Sequence, residues 1–183
     1  EVLFESPNAD VSGLRYSQKR KVLTRIVWEE ARNQQKFLDS ETEQLYTFLQ
    51  AELPNYEVFI TSMSKDEEKM LIRTYSDRSM GAYYFYDKAN KQLQKLHEVS
   101  PWLNENDMSE MKPIQYTSRD GLTINGYLSL PKGMEAKNLP VVINPHGGPW
   151  ARDSWGFNPE IQFLTNRGYA VLQMNFRGST GFG

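Results

Sequence analysis

The chain has 183 residues, with 21 lysines and arginines against 23 aspartates and glutamates, a net charge of −2, and no cysteine. That balance leaves no basic footprint for nucleic acid, the missing cysteine excludes a thiol nucleophile and leaves the redox compartment unread, and no apolar run approaches the ~20 residues of a membrane helix. Aromatic residues make up 13% of the chain, ten of them tyrosines, which favours a sheet-rich region.

The sequence opens in mid-pattern at Glu1-Val2-Leu3-Phe4, without a methionine, and stops at Gly183 just after a strand-like run, so it reads as a piece of a longer protein. Up to Asp39 short extended segments are expected at Val2 to Phe4, Leu14 to Tyr16 and the alternating Val22 to Trp28, separated by polar turns. Lys19, Arg20 and Lys21 read as a solvated turn rather than a binding patch. Ser40-Glu41-Thr42-Glu43 has the form of a capping box with Ser40 as the cap. Leu45, Phe48, Leu49 and Leu53 then mark the packed face of a helix that Pro54-Asn55 ends.

Four strands are expected next, at Tyr56 to Met63, Met70 to Tyr75, Ala82 to Asp87 and Leu93 to Val99. Four strands in about 40 to 45 residues is the size of one propeller blade, which needs neighbours to cover its faces. His97 on the last of them has no histidine or cysteine near it in sequence and reads as a surface residue, not a metal ligand. Ser100-Pro101-Trp102 breaks the pattern, and Asn104 to Met111 is expected to be a short linking helix. Ile114 to Thr117 and Leu122 to Leu130 flank Ser118-Arg119-Asp120-Gly121, a hairpin signal.

Val141-Val142-Ile143 reads as a strand buried on both faces, followed by Asn144-Pro145-His146-Gly147-Gly148-Pro149-Trp150. A glycine pair after such a strand can turn sharply and present free amides to an anion, which acyl transfer requires. Asn158-Pro159 opens a helix with a cap and a proline in its first turn, Arg167-Gly168 closes it, and Tyr169 to Met174 is a second buried strand, expected to run parallel to the first. The glycines of Arg177 to Gly183 do not fit a phosphate loop, because Ser179-Thr180 lacks the lysine.

Taken together, Asp10-Val11-Ser12-Gly13, Phe37-Leu38-Asp39, Ser118-Arg119-Asp120-Gly121, Gly126-Tyr127-Leu128, His146-Gly147-Gly148-Pro149, Gly168-Tyr169 and Asn175-Phe176-Arg177-Gly178-Ser179-Thr180-Gly181-Phe182-Gly183 resemble the prolyl oligopeptidase family of serine peptidases, in its acylaminoacyl-peptidase and dipeptidyl-peptidase-like branch. The resemblance implies a mixed fold, the last β-propeller blade or blades followed by the N-terminal part of an α/β-hydrolase fold. Residues 1–103 would be the end of the propeller, 104–112 a linker and 113–183 the truncated start of the catalytic domain. It implies a peptide substrate, no cofactor and no metal. The amide of Gly148 would be one oxyanion donor, with His146 and Gly147 shaping the loop and the His146 side chain bracing it.

No Gly-x-Ser-x-Gly elbow occurs, since Arg177 stands two residues before Ser179 and Asp10 two before Ser12. Nucleophile, base and orienting aspartate are therefore expected beyond Gly183, leaving this chain inactive by itself. Arg177 and Trp150 are candidates for the substrate side, and of Trp150, Trp155 and Phe157 two are expected to be packing residues. The alternatives are an α/β-hydrolase esterase or lipase, which shares the His-Gly-Gly loop but has no blade-like region ahead of it, and a non-catalytic propeller interaction module. Uncovered blade faces and an open edge at the Tyr169 to Asn175 strand are expected to promote self-association.

Overall fold

A computed structural model describes residues 2–183, which gather into two compact units. The first comprises the residues up to Ser76 together with Met80–Trp102, and the second Asp77–Ser79 together with Leu103–Gly183.

In the first unit, β1 (Val11–Ser17), β2 (Val22–Glu29) and β3 (Asn33–Phe37) form an antiparallel sheet in chain order. Val2 to Phe4 joins no strand, although the Phe4 ring lies 4.5 Å from that of Trp28. β3 is unexpected: Asn33-Gln34-Gln35-Lys36 is polar and exposed, and its ladder to β2 holds it in place. The basic turn is not simply solvated. The Arg20 guanidinium donates to Asp39 at 2.6 Å and to the Thr42 hydroxyl at 3.0 Å.

That contact explains a shift in the start of α1 (Ser40–Glu52). Its cap is Asp39, not Ser40: the carboxylate accepts from the Thr42 amide at 2.9 Å and the Thr42 hydroxyl at 2.7 Å. A carboxylate suits the positive end of a helix better than a hydroxyl, and here it also meets a cation. The Arg20 bond, followed by the Thr42 bonds, lowers the Asp39 pKa to about 2. A carboxyl whose pKa is depressed by folding stabilises the fold above its unfolded value and loses that contribution as the pH falls through the folded one. We therefore expect Asp39→Asn to be less stable than the parent by about 1–2 kcal/mol at pH 7, with the gap narrowing from about pH 4 downward. Urea unfolding of both proteins across that range checks it, and a constant gap would contradict the assignment.

β4 (Glu57–Met63), β5 (Lys69–Tyr75), β6 (Ala82–Asp87) and β7 (Gln92–Glu98) make an antiparallel meander in chain order. Met70, Ile72 and Thr74 alternate inward along β5. Leu49 and Leu53 from the region of α1 join Val58, Met70, Ile72 and Tyr86 in one core, with Leu45, Phe48, Ile60, Tyr84 and Leu93 around it. The apolar stripe of the helix thus packs on one face of the meander, as the 3.6-residue spacing requires.

In the second unit the expected linking helix is only a 3-10 turn, Glu105–Asp107, capped by Asn104. β8 (Met111–Thr117) begins three residues before Ile114 and pairs with β9 (Thr123–Ser129) in a hairpin whose Gly121 sits at φ 87°. β10 (Val141–Ile143), α2 (Pro159–Asn166) and β11 (Ala170–Asn175) follow. Asn158 caps α2 by accepting from the Glu160 and Ile161 amides. Its C-terminus closes with Gly168 N–H to Thr165 O and Tyr169 N–H to Leu164 O, both bonds of a Schellman motif around a left-handed glycine.

The sheet order is β10-β11-β9-β8, with β10 and β11 parallel and the other pairs antiparallel. Two expectations change here. β10 is an edge strand rather than one buried on both faces, since Val141 and Ile143 are 59% and 60% exposed. β11 is interior and well buried, so among the described residues the open edge on this side is β10, not the Tyr169 to Asn175 strand.

Candidate active site

The chain leaves β10 after the Asn144 amide bonds to Leu172 O at 2.9 Å, and the next residues form the His-Gly-Gly-Pro loop. Gly148 has φ 146°, a conformation side-chain-bearing residues rarely adopt. A Cβ built there would sit 2.8 Å from the Trp150 amide nitrogen, whereas one on Gly147 would meet nothing within 4 Å. The Gly148–Pro149 peptide is cis. Among the described residues neither glycine amide donates a hydrogen bond, and both glycines are exposed.

The His146 side chain points back across the unit. Its Nε2 lies 2.8 Å from the Ser179 hydroxyl, its Nδ1 lies 2.9 Å from Gly147 O, and its ring stacks on Phe176 with centroids 4.4 Å apart. Ser179, 8% exposed, is buried beneath this contact. The histidine therefore ties the first loop to the one after β11.

A further set of bonds, invisible in the sequence pattern, holds the segment just beyond the loop. The Asn175 side chain grips the Asp153 backbone from both sides, accepting from its amide at 2.7 Å and donating to its carbonyl at 3.0 Å. Gln173 Nε2 donates to Asp153 Oδ1 at 2.9 Å. The Thr180 amide donates to Ala151 O at 3.0 Å, and the Arg152 guanidinium lies 4.3 Å from the Phe182 ring centre. Both loops are thus fastened to the end of β11.

The remaining candidates scatter. Arg177 is an exposed residue whose guanidinium pairs with Asp120 in the β8–β9 turn. The Ser118 hydroxyl, and then Arg177, hold the Asp120 carboxyl below its ordinary range. Trp150 is 83% exposed, whereas Trp155 is buried and donates its indole N–H to Met111 O at 2.9 Å. Phe157 is half-buried. His97 lies exposed on β7. Among the described residues no group of three or more His, Cys, Asp or Glu side chains is placed to hold a metal ion.

No family model matches the chain. It is 33% identical over its whole length to dipeptidyl aminopeptidase BIII of Pseudoxanthomonas mexicana, of which it covers 27%. It is 38% identical over 77 residues to the acylamino-acid-releasing enzyme of Sus scrofa, covering 40% of this chain and 10% of that one. The chain belongs with the prolyl oligopeptidase family of peptidases. The fold agrees with this: the Pyrococcus horikoshii acylaminoacyl peptidase superposes with a TM-score of 0.59 at 17% identity, covering 96% of this chain and 26% of that structure. The chain therefore spans about a quarter of the length of the family members it matches end to end.

Proposed function

We propose that this chain supplies the oxyanion loop of a serine peptidase that hydrolyses short peptides through an acyl-enzyme. The observation that carries the reading is the Gly148 amide, exposed and without a partner among the described residues, on a backbone that only glycine adopts readily. In this reading a serine hydroxyl attacks the peptide carbonyl carbon and gives its proton to a histidine. The carbonyl oxygen takes the negative charge and accepts a hydrogen bond from Gly148 N–H. Collapse expels the amine, which leaves with the histidine's proton, and water then hydrolyses the ester. Serine, histidine and the aspartate that orients it belong to polypeptide outside these 183 residues, and the chain alone is inactive.

The same reading divides the chain into residues 1–103 as the end of a propeller, 104–112 as a linker whose last residues already lie in β8, and 113–183 as the start of a hydrolase domain. The His146 contact with Ser179 supports a bracing role for that histidine, and the Arg177 pairing with Asp120 supports a role in holding loops. The exposed Val141 and Ile143 on β10 support self-association through that edge.

Two experiments test the proposal. Reading the parent gene past the codon for Gly183 is expected to reveal a Gly-x-Ser-x-Gly elbow, then an aspartate and a late histidine. A fluorophosphonate probe is expected to label the longer product and leave the 183-residue chain unlabelled. A stop codon, or a following domain without that serine, would make the loop a structural remnant and favour a non-catalytic interaction module. Labelling of the isolated chain would contradict its predicted inactivity.

A further inference from the structure

A cavity of about 320 Å³ opens in the first unit, lined by residues of β1, β2, α1 and β4, by Met70 of β5, and by Arg20, Glu67 and Lys88 from the turns between strands. Its charges do not balance. The lining carries Arg15, Arg20, Arg25 and Lys88 against only Glu41 and Glu67. Arg20 is engaged by Asp39, with Glu41 and Glu67 at 3.6 and 3.8 Å, and Lys88 pairs with Glu41. Among the described residues Arg15 and Arg25 pair with no carboxylate.

These two arginines are direct cross-strand partners in the β1–β2 ladder. Like charges in that position oppose pairing unless something between them compensates. Arg25 donates to the neutral Gln35 side chain at 2.8 Å and lies 4.4 Å from the Tyr46 ring centre. Burial pushes its pKa down and Arg15 adds to the effect, while Tyr46 opposes it. Tyr46 itself is 5% exposed and lines the same cavity. Its hydroxyl reaches only a weak contact with the Ile60 backbone and makes no well-formed hydrogen bond. A buried hydroxyl left in that state costs free energy that a ligand acceptor would recover.

We propose that this cavity binds a small monocarboxylate with a short apolar tail, its carboxylate held between Arg15 and Arg25 and reached by the Tyr46 hydroxyl. Planar guanidinium groups match a carboxylate's two oxygens. Leu45, Ile60 and Met63 in the wall receive the tail, and Glu41 and Glu67 disfavour each further negative charge on the ligand. The inference stands apart from the peptidase reading, since none of these residues belongs to the oxyanion loop.

Titration of the purified chain with sodium hexanoate by calorimetry or by methyl shifts in NMR tests it, with hexanamide and inorganic phosphate as parallel arms. Saturable hexanoate binding is expected, weakened roughly tenfold or more by Arg15→Gln and by Arg25→Gln, with hexanamide and phosphate binding more weakly. Arg15 is an exposed strand residue, so Arg15→Gln keeps the fold and remains informative if Arg25→Gln does not. Absence of saturable hexanoate binding, equal binding of hexanamide, tighter binding of phosphate, or unchanged affinity in a folded Arg15→Gln variant would overturn the proposal.

Discussion

Under the proposed peptidase function, Gly148→Ala in the longer protein is expected to lower kcat by roughly 10² to 10³, the usual consequence of losing one oxyanion donor. The atom that obstructs the new Cβ is the Trp150 backbone nitrogen at 2.8 Å, which cannot swing aside as a side-chain tip does. The φ of 146° adds strain of its own, so the loop must reshape and its amide must move. Because an oxyanion donor acts on charge that develops during attack, the proposed role predicts that kcat falls more than KM rises. Steady-state kinetics on a short peptide substrate, with circular dichroism to confirm folding, measures both. A kcat within threefold of the parent would remove Gly148 from the oxyanion role.

Leu49→Ala is expected to destabilise the first unit by about 2–5 kcal/mol. Leu49 is completely buried, and its side chain sits where α1 meets the Met70 and Ile72 positions of β5 and the Tyr86 ring of β6. Truncation leaves a cavity among neighbours on three elements, which limits how far the site can collapse. Against a typical total stability of about 5–15 kcal/mol, a loss of that size shifts the urea midpoint far down. Leu45→Ala, on the same helix but only partly buried, should cost far less and serves as the control. Equal effects at the two positions would mean that the helix does not pack as described.

What the sequence makes legible is whatever repeats locally. The alternation in β5, the Asp120-Gly121 turn and the Asn158-Pro159 start of α2 appear where side-chain spacing places them. Failures arise where a distant partner decides. β3 has no apolar rhythm and exists because β2 offers it a ladder. The cap of α1 shifts to Asp39 because Arg20, far back in the chain, comes to meet it. A flat run such as Val141-Val142-Ile143 carries no periodicity to say how much of it is covered, and β10 lies at an edge. At the site, the His-Gly-Gly-Pro motif announces its own loop. The Ser179 partner of His146 and the Asn175 grip on Asp153 are long-range bonds that residue spacing cannot reveal.

The place of β11 in its sheet has a bearing on the order in which this region comes together. The β8–β9 hairpin needs only its own turn, and β11 can then zip onto β9 from Val171 opposite Ser129 to Asn175 opposite Asn125. Among the described residues β10 pairs with no strand but β11, over three residue pairs. The strand that leads into the Gly148 loop is thus held in this sheet by β11 alone among the described residues, and a substitution that loosens β11 is expected to free that loop while the β8–β9 hairpin still stands.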